Sequence, residues 1–286
     1  MRSGTLVSKI EQTINWAKER PENSEYTKAA DQRRASNRAR RQRLSSENIG
    51  EKWINTLRVE PSLADETGES RVLLGEDQDQ RVRSAYKMLR TRTLHRIRQN
   101  NWHVIGVTSP LQGDGKSLTS INLALSLACD TTLSIVLVDL DLRRSSICSH
   151  LNVDPLKGLP DYLDGAANLN EVLFRPEGTE RLAVLPNTEN FDNSSEIISS
   201  PKVANLLEEL RDSDEGRIII CDLPPYLVTD DALAFEPLAD AFLVVVSEGK
   251  TSRDALAQGM DILHDLPLLG LVLNRSEGAR TGYYYY

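Results

Sequence analysis

No apolar run in the chain approaches the ~18 to 20 residues needed to cross a bilayer, and the N-terminus lacks the hydrophobic stretch of a signal peptide. Membrane attachment is therefore expected to be peripheral or through a partner. Cysteine is scarce: Cys129, Cys148 and Cys221 form no CxxC pair and leave an odd count, which argues against a disulfide framework or a zinc site and points to a reducing cytosol. Positive charge is also in deficit. With 42 acidic against 34 basic residues and a net charge of −8, the chain has no broad electrostatic affinity for nucleic acid, and none is expected as a partner.

Residues 1 to 80 are polar and weakly patterned, which predicts an N-terminal extension. Within it, Leu6, Ile10, Ile14 and Ala17 fall at helical spacing and predict a short amphipathic helix for packing or partner docking. The basic cluster Arg33, Arg34, Arg38, Arg40, Arg41 and Arg43 reads as a solvated linker, with anionic lipid headgroups as the alternative contact. From residue 81 to 276 helical and strand patterns alternate, which predicts an α/β domain with a doubly wound, mostly parallel sheet. Six apolar runs read as buried strands: Val104 to Thr108, Ser134 to Asp139, Leu182 to Leu185, Arg217 to Asp222, Ala241 to Ser247 and Leu269 to Asn274. Helices are expected over Lys116 to Cys129, Pro201 to Arg211 and Ser252 to His264.

The first of these strands runs through Ser109-Pro110-Leu111-Gln112 into Gly113-Asp114-Gly115-Lys116-Ser117-Leu118 and then a helix, the setting of a P-loop. Glycines at 113 and 115 would turn backbone N–H groups onto phosphate oxygens at a helix N-terminus. Lys116 would neutralise the β and γ phosphates, and the Ser117 hydroxyl would help coordinate Mg²⁺. Strict Walker A spacing fails, since Pro110 stands where glycine is required. Two other apolar strands deliver carboxylates at their C-terminal ends, Asp139 and Asp141 after one and Asp222 after the other, where doubly wound sheets bind ligands. Asp222 reads as the Walker B acid. Four of the eight tyrosines, Tyr283, Tyr284, Tyr285 and Tyr286, close the chain behind Gly278, Ala279 and Gly282, and residues 277 to 286 read as a flexible phosphoacceptor tail.

Together these residues resemble the bacterial tyrosine kinases of polysaccharide export, autokinases built on a P-loop. Against the family pattern TSxxPGEGKST the chain has Thr108-Ser109-Pro110-Leu111-Gln112-Gly113-Asp114-Gly115-Lys116-Ser117-Leu118, departing at Gln112, Asp114 and Leu118. Against DxDLRRP it has Asp139-Leu140-Asp141-Leu142-Arg143-Arg144-Ser145, with serine in place of the proline. Asp222-Leu223-Pro224-Pro225 with Asp231-Ala232 is similar to the Walker B region, and Asn193-Ser194-Ser195-Glu196-Ile197-Ile198 to the segment NPxELL. The resemblance implies ATP- and Mg²⁺-dependent phosphorylation of the tyrosine tail and regulation of exopolysaccharide or capsule synthesis or export. Asp139 would orient or deprotonate the acceptor, Asp141 and Asp222 would join Ser117 at the metal, and Asn274 would lie near the adenine. It further implies a homo-oligomeric ring, a transmembrane chain-length regulator as activator, an opposing tyrosine phosphatase, and a place at the inner face of the bacterial inner membrane. The ring contact of the family uses ExxRxxR, where this chain has Ser84, Lys87 and Arg90, losing the acid and one guanidinium fork. Two other readings are a partitioning or division-site ATPase of the ParA and MinD type, disfavoured by Leu111 where those proteins carry a lysine, and a nucleotide-binding regulator without transfer activity.

Overall fold

The computed structural model describes residues 53–61, 72–73, 79–130, 132–212, 216–263 and 266–276. The expected helix over Leu6 to Ala17, the arginine cluster and the tyrosine tail lie outside the described residues. The strands are β1 (Arg58–Glu60), β2 (Val104–Thr108), β3 (Ser134–Asp139), β4 (Phe174–Pro176), β5 (Leu182–Leu185), β6 (Arg217–Asp222), β7 (Ala241–Ser247) and β8 (Leu268–Asn274). The helices are α1 (Gln80–Asn100), α2 (Lys116–Ala128), α3 (Ile147–Leu151), α4 (Leu159–Leu163), α5 (Leu169–Val172), α6 (Ser194–Ile198), α7 (Pro201–Asp212), α8 (Asp231–Phe235) and α9 (Arg253–Ile262). The strands form one sheet in the order β1-β4-β5-β3-β6-β2-β7-β8, parallel throughout except between β4 and β5.

The central strands read as unbroken apolar runs because both faces of the sheet are covered. Along β3, Ile135 and Leu137 join one core with Ile121 and Leu127 of α2 and Leu94 and Ile97 of α1. Val136 and Val138 point the other way, into a core with Val203, Leu206 and Leu210 of α7 and Phe235 of α8. Helix ends are set locally. Asp79 caps α1 by accepting from Arg81 N, and Asn101 ends it in the left-handed conformation at φ 55°. Ser252 caps α9 by accepting from Ala255 N at 3.0 Å. Among the described residues no helix is long and apolar enough to cross a membrane.

Register decides where the chemistry gathers. Asp139 at the end of β3 lies beside Asp222 at the end of β6, and Asp222 in turn lies beside Val107 of β2, whose continuation is the glycine-rich loop. Three sequence segments more than 20 residues apart therefore reach one edge of the sheet.

The sheet also recruits residues ahead of the expected domain start at 81. Strand β1 pairs with β4, Ile54 and Leu57 are buried in the larger core, and Trp53 stacks on the guanidinium of the fully buried Arg217 at 4.2 Å from the ring centroid. Leu73 N donates to Asn122 Oδ1 of α2 at 2.9 Å. These contacts are scattered single residues, so no periodic pattern announces them. Ile54→Ala removes a wholly buried side chain and should cost about 2–5 kcal/mol, read from urea unfolding. A loss within about 0.5 kcal/mol would place the segment around Ile54 outside the cooperative fold.

Candidate active site

The loop after β2 is braced from three directions. Thr108 Oγ1 donates to Pro224 O at 2.7 Å, and Tyr226 N donates to Ser109 O at 3.0 Å, so the segment after β6 fixes the start of the loop. Within the loop the buried Asp114 carboxylate accepts from Leu111 N at 3.1 Å and from Thr251 Oγ1 at 2.9 Å. Asn274 Nδ2 donates to Asp114 O at 2.9 Å, and Lys250 Nζ donates to Gln112 O at 2.8 Å. Gly113 and Gly115 take φ of 78° and 89°, the left-handed region, and a Cβ on either would collide with Lys250 Nζ or Asn274 Nδ2. The bend leads directly into α2, whose 13 residues present an N-terminus suited to anions.

Lys116, the first residue of α2, reaches across to the carboxylates. Its Nζ lies 2.6 Å from Asp141 Oδ2, 3.4 Å from Asp222 Oδ2 and 3.0 Å from Ser117 Oγ. Ser120, one turn along the helix, donates to Asp222 Oδ1 at 3.0 Å. Asp139 accepts from Ser145 Oγ at 2.7 Å and Ile147 N at 3.4 Å on Oδ2, and from Asp141 N at 3.2 Å on Oδ1. Asp139 and Asp222 are wholly buried, while Asp141 keeps 5% of its surface.

Three buried acids share one ammonium, and the shifts of Lys116, Asp139 and Asp222 follow from that. Burial alone would depress Lys116, but the charges of Asp222 and Asp141 outweigh it and raise its pKa above the ordinary lysine value. Burial, and then the charge of Asp222, pushes Asp139 up to about 7, against the opposing hydrogen bond from Ser145. Burial likewise raises Asp222, although Lys116 pulls the other way.

The structure thus gathers Lys116, Ser117, Asp139, Asp141 and Asp222 at the mouth of the Gly113–Gly115 bend. Asn274, expected near an adenine, donates its amide to the loop backbone. Leu118 packs partly against the core that holds α2 and brings no hydroxyl to the site. The acidic-alanine pair proves to be a second focus: Asp231 is wholly buried, accepts from Ser194 Oγ at 2.8 Å, and lies 3.7 Å from Arg143 Nε. Of the residues at the expected ring contact, Ser84 and Lys87 are exposed, while Arg90 turns inward to donate to Ser126 O at 3.0 Å. Sequence reasoning missed Ser120, Ser145, Asn187, Thr251 and Lys250. Ser120 carried a signal in its place four residues after Lys116 on the same helix face, and Ser145 only as a departure from the motif's proline.

No protein-family profile matches the chain. The succinoglycan biosynthesis transport protein ExoP of Rhizobium meliloti is 32% identical over 189 residues, covering 63% of this chain and 23% of that protein. The chain thus spans about a quarter of ExoP, as it does of the tyrosine-protein kinase ptk of Acinetobacter johnsonii, with 24% covered. Tyrosine-protein kinase CpsD of Streptococcus pneumoniae is 30% identical over 175 residues, covering 60% of this chain and 75% of that protein. Among solved structures, the VpsO kinase domain superposes with a TM-score of 0.60 at 27% identity, covering 68% of this chain and 97% of that one. The kinase domain of the Escherichia coli tyrosine kinase ETK gives 0.60 at 25% identity, covering 70% and 80%. Motifs, sheet and relatives agree, and the chain belongs to the bacterial tyrosine-protein kinase family.

Proposed function

We propose that the chain transfers the γ-phosphoryl group of ATP to tyrosines of its own C-terminal cluster, Tyr283 to Tyr286. The observation that carries this reading is the meeting of Lys116, Asp141 and Asp222 at a glycine-turned loop and helix N-terminus. Loop amides and Lys116 would cradle the phosphates, since phosphoryl transfer asks mainly for positioning and charge neutralisation. The tyrosyl oxygen would bond to the γ-phosphorus as the bond to the β–γ bridging oxygen breaks, ADP leaving with that oxygen and Asp139 receiving the hydroxyl proton. An acid pushed up to about 7 is matched to that proton transfer near neutrality.

The donor set also fits Mg²⁺. Asp141, Asp222 and the Ser117 hydroxyl are hard oxygen ligands, and with all three acids ionised the single lysine leaves two negative charges uncompensated. Mg²⁺ takes one or two carboxylates and fills its shell with water and phosphate. When bound, Mg²⁺ supplies charge neutralisation on the transferring group. Lys116 lies against Asp141 and would have to leave that carboxylate to reach phosphate. Asp139 has no exposed atom, so an acceptor hydroxyl meets it only after side chains at the mouth move.

Control of exopolysaccharide or capsule synthesis, a tyrosine phosphatase and a membrane-spanning chain-length regulator complete the proposal. In support, no described helix can cross a membrane, and ExoP, named for biosynthesis and transport, is about four times the length matched here. Assembly into a ring would proceed without the acid-to-arginine pairing of the family, because Ser84 stands at the acid's place and Arg90 is engaged by α2.

Purified chain incubated with Mg-ATP should acquire phosphate on Tyr283 to Tyr286 by tail-peptide mass spectrometry. Lys116→Ala should lower transfer by about 10²-fold or more. ATP turnover with an unmodified tail, even with a membrane fraction added, would sink the kinase assignment in favour of an ATPase or a regulator.

The raised carboxyl makes a separate prediction for the metal-free protein. Because Asp139 titrates higher folded than unfolded, the folded state holds the extra proton. Stability is therefore greatest below about pH 4 as far as this group is concerned, and is lost as pH rises toward about 7. In chelator, Asp139→Asn should stabilise the chain at pH 8 by on the order of a few kcal/mol more than it does at pH 4. Equal effects at both pH values would show that Asp139 carries no such charge cost.

A further inference from the structure

Ser145 has one hydroxyl proton and two acceptors. Its Oγ lies 2.7 Å from Asp139 Oδ2 and 2.9 Å from the main-chain oxygen of Asn187. These belong to different parts of the sheet edge, Asp139 closing β3 and Asn187 following β5. The anchor is itself held, since the buried Asn187 turns its Nδ2 onto Glu189 O at 2.5 Å. Asp139 otherwise receives backbone donors, Asp141 N on Oδ1 and a longer contact from Ile147 N on Oδ2. Among the described residues Ser145 is thus the side chain that fixes the plane of this carboxylate. Each carboxylate oxygen accepts about two hydrogen bonds, so with Oδ2 filled by Ser145 and Ile147 the unused acceptor direction lies on Oδ1.

The motif that the chain resembles places proline here, a residue with no donor to give. The neighbouring segment 193–198 repeats the exchange: Ser194 also stands where that pattern has proline, and also donates to a buried acid, Asp231. Ser145 is the one in contact with the proposed proton acceptor.

We propose that Ser145 is a positioning residue for tyrosine transfer, its hydroxyl, shared between Asp139 Oδ2 and the Asn187 carbonyl, holding the carboxylate so that Oδ1 is the oxygen offered to the acceptor. The proposal rests on the reading of Asp139 as the group that receives the tyrosyl proton. It makes a hydroxyl of this chain, rather than a rigid proline, set the orientation of the acid. Removing the hydroxyl leaves nucleotide binding intact, because Ser145 touches neither the loop nor Lys116, while the acid loses its fixed plane.

The test compares the full chain with Ser145→Ala, Ser145→Pro and Ser145→Thr in Mg-ATP, measuring phosphotyrosine formation, ADP release, KM for ATP and melting temperature. Ser145→Ala and Ser145→Pro should slow phosphotyrosine formation about tenfold or more, the scale on which partners of functional carboxylates act. KM for ATP should stay within about twofold and ADP release to water should fall less than transfer. Ser145→Thr, which keeps the hydroxyl, should recover most of the transfer and so separates loss of the hydrogen bond from loss of fold. Wild-type transfer rates in both the alanine and proline variants would overturn this proposal alone. So would a fall in transfer that Ser145→Thr does not relieve and that tracks the melting temperature. ADP release without phosphotyrosine in the wild type would overturn the kinase reading and this proposal with it.

Discussion

Three carboxylates and one ammonium occupy the same buried edge of the sheet, and much of the structure exists to hold them there. Bringing a charged acid out of water is costly unless it is paired or hydrogen-bonded. Each acid here is met by donors: Asp222 by Lys116 and Ser120, Asp141 by Lys116, Asp139 by Ser145 and two amides. The charges still do not balance. The imbalance appears as raised acid pKa values and as a lysine drawn into the acids rather than toward solvent. A fold that carries such an excess gives up stability at the one place where a phosphate and its counter-cation would restore the balance.

What tolerates that excess is the parallel sheet beneath it. Side-by-side register puts Asp139, Asp222 and the end of β2 in adjacent rows, so a shift of one residue in either pairing would turn an acid away from the loop. The rows are pinned by cores on both faces, with Val136 and Val138 on one side and Ile135 and Leu137 on the other. The glycine loop is likewise a product of its surroundings. Its bends at Gly113 and Gly115 are closed over by Lys250, which follows the neighbouring strand β7, and by Asn274, which ends β8.

Much of this was legible before any coordinate. Six strands are continuous apolar runs ended by turn residues or acids, and all six appear, β8 starting one residue early. The quartet Lys116, Asp139, Asp141 and Asp222 could be read because strand ends and a glycine loop are positional signals that survive without tertiary information. The short elements could not. Strand β1 is Arg-Val-Glu and β4 is Phe-Arg-Pro, three residues each, defined by the neighbours they find rather than by a period of their own. Among the described residues, five of the nine α-helices are only four or five residues long, too short for a helical period. The domain start was placed too late because Ile54 and Leu57 are isolated apolar residues in a polar stretch. Ser145 and Thr251 escaped for a similar reason: a lone hydroxyl carries no spacing that says which distant acid it will meet. Asn274, expected near an adenine, donates its amide to the loop backbone at Asp114 O.

The pairing of Lys116 with Asp141 at 2.6 Å also constrains the order in which the site can fill. One ammonium cannot serve a buried acid and a phosphate fully at the same time. If Lys116 swings to an incoming nucleotide unaided, Asp141 and Asp222 lose their counter-charge inside the protein, where breaking a pair costs about 3–5 kcal/mol. A phosphate arriving without a cation would thus add negative charge to a site already in excess. A cation arriving alone would compete with Lys116 for the same oxygens. Were they to arrive together, no charge would be stranded: the acids would meet the cation and Lys116 the phosphate. On the proposed function, these charges would favour a cation–nucleotide complex over either component.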